Sequence, residues 1–400
     1  MIKRDDFYIG TVIFRSKPVV DFDLLDFLYN NEKYEILKGY IYGVYKCNGI
    51  KYILDILKNE FKNKNIKYKM LLLFALDINK VIFDYIKTLS KTEQDYYWSN
   101  AIIFPNNKNK DILEKCIIEL IGHNNLRNVY YWLTESEFDI NVYVDFLINL
   151  LYNPKNISED VNIDYKILKV FEKIYNYDIV DKELLQKVIQ LEEIYIQIFD
   201  CRYDNIKPKY LYKELTYNPQ NSASLLKNLY KSNNNIDEEI TKEKENLAKR
   251  AWHILYNIKF CPCVNDDNTI ELEKLKKWCC EFLNETKNNG QEEIGLQYLG
   301  QFLAHAPQNL DYWPNKEICY ILDYYKNEDI DKGFILEIHN SRGVHIVDAG
   351  QSEIDLANKY KKYADRCKLE YPHTASILTE ICKYYNEQAK LNRERAEHEF

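Results

Sequence analysis

The residue types best able to do chemistry crowd into one stretch, HNSRGVHIVDAGQSE at 339–353, which holds two histidines, an arginine and two glycines. His339, Arg342 and His345, with Asp348 or Glu353 close in sequence, sketch a phosphodiesterase or nuclease site, because such work needs a proton carrier beside a group that neutralises phosphate. The two histidines lie six positions apart, which is not the i, i+4 spacing that puts two ligands on one helical face. No second carboxylate cluster stands out as a partner for them. A structural reading of the same stretch is equally concrete. Asn340 and Ser341 can hydrogen-bond backbone at a helix end, while Gly343 and Gly350 can take left-handed conformations around a turn. Arg342 then becomes a clamp that donates to carbonyls or to a carboxylate on neighbouring helices.

A second cluster is Cys261, Cys263, Cys279 and Cys280, with His253 nearby, which could be assembled into a zinc site. Structural zinc ligands are usually spaced in pairs two to four residues apart, and here the pairs are CxC and CC. Adjacent helical residues point about 100° apart, so Cys279 and Cys280 do not converge on one ion. Ten cysteines without an export signal are expected to be reduced and mostly buried. His305, between two alanines, reads as a packed or capping residue, and Asp311 and Trp313 follow in the same polar break. Phosphate-binding glycine loops and the nucleophile-elbow pattern are absent from the sequence, which offers nothing to an ATPase or a serine hydrolase. No cofactor and no metal is expected.

The elements that would have to hold these residues read almost throughout as helix. Ile50, Ile53, Leu54, Leu57 and Phe61 fall on one apolar stripe, and the same spacing recurs at 111–121, 142–152, 165–175 and 184–199. About 16 to 20 helices of ordinary length are expected. Strand character is confined to the first 20 residues, where FYIGTVIF alternates weakly and is rich in β-branched side chains. The breaks are short polar clusters, which fits antiparallel helical hairpins stacked side by side. The expected fold is therefore all-α, an α-solenoid or irregular helical-repeat array of HEAT- or TPR-like hairpins, with a short β segment at the N-terminus. No fixed repeat period is found. The polar run 232–246 suggests a division into an array at 1–235 and a C-terminal helical module at 240–400.

Composition narrows the function classes. The chain has 54 Lys and Arg against 62 Asp and Glu, a net charge of −8, which argues against a general nucleic-acid binder. The 35 tyrosines leave open a solenoid whose aromatic surface stacks bases. The longest apolar run, MLLLFALDI at 70–78, is too short to span a bilayer, and the N-terminus lacks the apolar segment of a signal peptide. A soluble, cytoplasmic protein is expected.

Over most of its length, and most sharply after about residue 250, the chain resembles the C-terminal helical region of large multidomain bacterial proteins associated with anti-phage defence, some of them with NTPase-like domains upstream. The residues that carry the resemblance are Trp278, Gly300, Leu303, Ala304, Pro307, Trp313, Pro314, Asn340, Ser341, Arg342, Gly343, Val344, Gly350, Gln351, Pro372, Thr374 and Ala375. The chain departs from the pattern at Ala349-Gly350, where the family has two glycines. The resemblance brings no catalytic residue with it. It implies a non-catalytic recognition or scaffold region, the sensor part of a defence protein, with a protein partner drawn from phage, host or other domains of a longer chain. Asn340, Ser341, Arg342, Gly343 and Trp313 would then form a structural or partner-contacting loop.

Overall fold

The computed structural model describes residues 2–102, 110–126, 129–153, 162–200, 206–231, 241–308, 313–343 and 349–398. Among them are 20 α-helices and no strand, so the chain is an all-α array. No helix among the described residues is long and apolar enough to cross a membrane.

The chain divides into two compact units, Met1–Ile179 and Val180–Phe400. The first holds α1 (Ile2–Ser16), α2 (Phe22–Asn30), α3 (Tyr34–Asn59), α4 (Ile66–Phe74), α5 (Lys80–Lys87), α6 (Lys91–Asn100), α7 (Lys110–Gly122), α8 (Tyr130–Glu135), α9 (Ile140–Tyr152) and α10 (Ile163–Ile174). The second holds α11 (Lys182–Ile194), α12 (Lys209–Tyr217), α13 (Pro219–Leu229), α14 (Lys242–Asn257) and α15 (Leu272–Asn288). It continues through α16 (Glu292–Ala304), α17 (Lys316–Tyr325), α18 (Glu328–Ser341), α19 (Gln351–Cys367) and α20 (Pro372–His398). The break thus falls well before the polar run at 232–246. Leu225 and Leu226 of α13 and Ala251 and Ile254 of α14, on either side of that run, belong to one apolar core. A polar composition marks the run as a connector, but the apolar stripes on both sides still need each other's cover.

The expected N-terminal β segment is helix instead. Gly10, Thr11 and Phe14 are buried, and this spacing of three and four suits a helix as well as FYIGTVIF suits a strand. What decides it is a helix crossing. A Cβ added to Gly10 would meet the Ile36 carbonyl of α3 at 2.0 Å, and one added to Gly39 would meet the Phe7 carbonyl of α1 at 1.9 Å. Thr11 Oγ1 adds a hydrogen bond across the crossing to the Gly39 carbonyl, 3.2 Å. Two glycines so placed let the backbones touch, and dispersion contacts over the whole crossing outweigh the weak strand preference of the β-branched residues.

The same arrangement recurs in the second unit. A Cβ on Gly300 of α16 would meet the Ile330 carbonyl of α18 at 2.0 Å, and one on Gly333 the Gln297 carbonyl at 1.9 Å. With the glycine pairs aligned, α1 matches α16 and α2–α3 matches α17–α18, the second copy carrying four more residues between its first two helices. Asp21 and Asn315 are the N-caps of the middle helices. Glu32 (φ 56°) and Lys326 (φ 44°) are the left-handed residues that follow them; Gly49 (φ 80°) breaks α3 at a kink and closes its first helical stretch, and Gly343 (φ 67°) follows the end of α18. The chain therefore contains one helix–helix–helix module twice, which the search for a fixed period did not detect.

Candidate functional site

The opening stretch joins the end of α18 to the start of α19. The Gly343 N–H donates to the Asn340 carbonyl at 3.3 Å, and Arg342 N–H to the His339 carbonyl at 3.3 Å, closing the last turn. Asn340 and Ser341 are exposed, and among the described residues their side chains make none of the hydrogen bonds the sequence suggested. Gly350 starts α19 in a left-handed conformation (φ 87°), where a Cβ would lie 2.5 Å from the Ala389 carbonyl of α20. Glycine is required there both for its φ and for the close approach of backbone.

Arg342 is the clamp. Its Nη2 donates to Glu353 Oε1 at 2.6 Å, and its guanidinium lies 5.7 Å from the centre of the Tyr385 ring. Glu353 sits in the first turn of α19 with its side chain 1% exposed. Burial pushes its carboxyl up, but the Arg342 hydrogen bond, a backbone N–H and the charge of Arg342 hold it below the usual carboxylate range. One side chain thus fastens the end of α18 to α19 and α20.

His339 is packed rather than poised. Its ring stacks on Tyr384 with centroids 4.0 Å apart and meets the edge of Tyr385 at 5.6 Å. Burial lowers its basicity, with the charge of Glu380 opposing, so the ring is neutral near neutral pH. Its Nε2 is buried and has no hydrogen-bond partner among the described residues. His345 and Asp348 lie outside the described residues, as does Asp311. Trp313 is core: it is 5% exposed, stacks on Phe334 at 5.8 Å and meets Tyr360 at 6.0 Å.

Of the four cysteines of the second cluster, three are buried and one points away from them. Cys261, Cys263 and Cys279 are buried together, while Cys280 on the next helical position is exposed. Burial pushes the Cys263 thiol up to about 11 and those of Cys261 and Cys279 higher still, so all three keep their protons. Among the described residues no group of three or more His, Cys, Asp or Glu could hold a metal ion. His253 lies against Trp252 with ring centroids 4.8 Å apart.

Sequence reasoning missed the carboxylate partners of three further histidines. His305 Nε2 lies 3.0 Å from Glu337 Oε1, which also takes Lys259 Nζ at 3.3 Å. Burial raises the Glu337 carboxyl, and the His305 hydrogen bond with the Lys259 charge more than offsets it, leaving it below its ordinary value. His373 Nε2 meets Asp331 Oδ2 at 3.0 Å, and in the first unit His123 Nε2 meets Asp95 Oδ1 at 3.1 Å. A signal for the first pair was present: Glu337 is an acid on the apolar, inward stripe of α18. The second unit also has a cleft of about 230 Å³ between α11, α12, α13 and α14. Glu193, Glu214, Arg250, Asn221 and Asn228 line it over a floor that includes Ile189, Leu211 and Leu225.

Comparison with known proteins gives no match: no family model, no curated protein and no solved structure matches the chain.

Proposed function

We propose that the chain is a non-catalytic recognition or scaffold protein that engages a protein partner, and that it serves as the sensor part of a bacterial anti-phage system. The observation that carries the first half is how the catalytic residue types are used. Arg342 is paired with Glu353, His339 is stacked and neutral, and His305, His373 and His123 are each matched to a carboxylate on another helix. Groups so committed fasten helices to one another. The first module supports the same reading, since its matching stretch, Tyr45–Lys51, ends its helix at Gly49 without a histidine or an arginine. The defence setting rests on the sequence resemblance alone.

The cleft between α11 and α14 is the recess best suited to a partner. It holds two carboxylates against one guanidinium, and Glu193 is raised by burial with only the charge of Arg250 in its favour. A basic side chain from a partner would supply the missing counter-charge. The test is affinity capture of the tagged chain from phage-infected bacteria, in parallel with Glu193→Lys. A specific protein retained by the natural chain and lost with the variant is expected. Equal capture by both, or no capture from infected or uninfected cells, would contradict the reading.

A further inference from the structure

The duplicated module shows which surfaces are meant to be covered, because the same position can be compared in two settings. In the second module the outer face of α16 and α17 is sealed. Leu299 is 0% exposed, Phe302 5% and Ile321 0%. The seal comes largely from α15, whose Trp278 and Phe282 stack on each other at 5.1 Å and reach the Phe302 ring at 6.2 and 5.7 Å. Gly295, at the start of the same face, lies so close to α15 that a Cβ would meet Thr286 Oγ1 at 2.2 Å.

In the first module the matching positions are apolar and uncovered. Ile9 stands where Leu299 does and is 45% exposed; Val12 matches Phe302 and is 45% exposed; Phe27 matches Ile321 and is 60% exposed. Tyr8, the counterpart of Tyr298, is 65% exposed. Asp5, Arg15 and Ser16 flank this face and are also exposed. Exposed apolar side chains with polar neighbours on these two helices have the composition of a contact surface rather than of a solvated helix.

On the outer face of α14 the chain also carries an exposed aromatic pair like the one that seals the second module. On α14, Trp252 and Tyr256 stand four apart and stack at 5.1 Å with planes 12° apart, as Trp278 and Phe282 do on α15. They are 48% and 58% exposed. One and two turns earlier on the same face, Lys249 and Glu245 are paired with each other at 2.6 Å, so no unbalanced charge accompanies the aromatic pair into a contact.

We propose that the chain associates with itself head to tail, α14 of one copy seating Trp252 and Tyr256 on the α1–α2 face of the next as α15 seats Trp278 and Phe282 on α16–α17. The two surfaces differ, so the contact is heterologous, and each added copy leaves one face of each kind free. Assembly therefore grows into a ring or an open filament. This goes beyond the recognition reading and stands without it, since a self-assembling scaffold needs no identified partner.

Sedimentation velocity and light scattering on the full chain test it, with Val12→Glu and Trp252→Glu as single-face variants and circular dichroism as the check on folding. The natural chain is expected to rise in mass with concentration beyond two copies. Each variant alone is expected to stay at the mass of one chain. Mixed, the two are expected to form a species of two chains and nothing larger, because each retains the face the other has lost. A natural chain that stays at one mass throughout overturns the proposal. So does association that survives Trp252→Glu, which would assign the α1–α2 face to another occupant, or a mixture of folded variants that does not pair.

Discussion

The two copies of the glycine-crossed module share their crossing, N-caps and left-handed residues and differ in the chemistry around them. In the first, Tyr40 fixes the connection before α2: its hydroxyl accepts the Asp21 N–H at 3.0 Å and donates to the Val19 carbonyl at 3.1 Å. In the second, the matching pair is Phe334 and Trp313, and ring stacking replaces both hydrogen bonds. Gly43 of α3 lies against Phe14, whereas the matching Glu337 of α18 pairs with His305, and Ala304 stands where Phe14 does in the sequence. Where the first module has Asn48 before its left-handed glycine, the second has Arg342 bound to a buried glutamate. What is kept, then, is the close approach of two helices and the left-handed residues that end them. The polar side chains at the matching positions differ between the two copies.

The comparison can be broken most directly at the glycines. Gly39→Val and Gly333→Val each drive a side chain into a backbone carbonyl that cannot move aside, and each is expected to cost about 3 kcal/mol or more. Thermal and urea unfolding check this. Gly122→Ala, at a position where a Cβ meets nothing within 4 Å, is expected to be neutral or to gain up to about 1 kcal/mol. Similar losses from the two valines would confirm that the modules are equivalent; a tolerated Gly39→Val would dissolve the equivalence.

The next effect separates the modules. Arg342→Ala leaves the Glu353 carboxylate buried without its guanidinium, an expected loss of about 3 kcal/mol. Asn48→Ala at the matching exposed position of the first module is expected to change stability by less than about 0.5 kcal/mol.

A smaller effect is expected from pH. His339 is less basic than its ordinary 6.5 when folded, so as the pH falls below that value the unfolded chain takes up the proton first and stability drops. His339→Phe is expected to remove that part of the acid sensitivity while leaving stability near pH 8 unchanged within about 0.5 kcal/mol. Glu337 and Glu353 act in the same direction, at lower pH. Their folded values are depressed, so their contribution is complete above the ordinary carboxylate range and is lost as pH falls through the folded values. Unfolding midpoints of the histidine variant and the natural chain across this range separate the two contributions.

Much of the helical architecture was legible because the signal is local. The stripe of Ile53, Leu54, Leu57 and Phe61 is buried as its spacing requires. The left-handed Gly343 and Gly350 and the Arg342 clamp could also be read, since each follows from residue type and place in a turn. FYIGTVIF misled because its β-branched residues fit two periods, and the deciding contact with Gly39 is remote in sequence. The duplication was present in KGYIYGVYKCNG and KGFILEIHNSRG, but two copies that far apart have no period to find. The pairing of His305 with Glu337 depends on how α16 crosses α18, which no spacing along one helix reveals.

The most direct test of the claim that Arg342 fastens helices is to measure, on the same purified samples, the melting temperature and the hydrolysis of phosphodiester substrates for the natural chain and Arg342→Ala. We expect no hydrolysis from either chain and a melting temperature several degrees lower in the variant. Hydrolysis by the natural chain that Arg342→Ala abolishes at an unchanged melting temperature would contradict it.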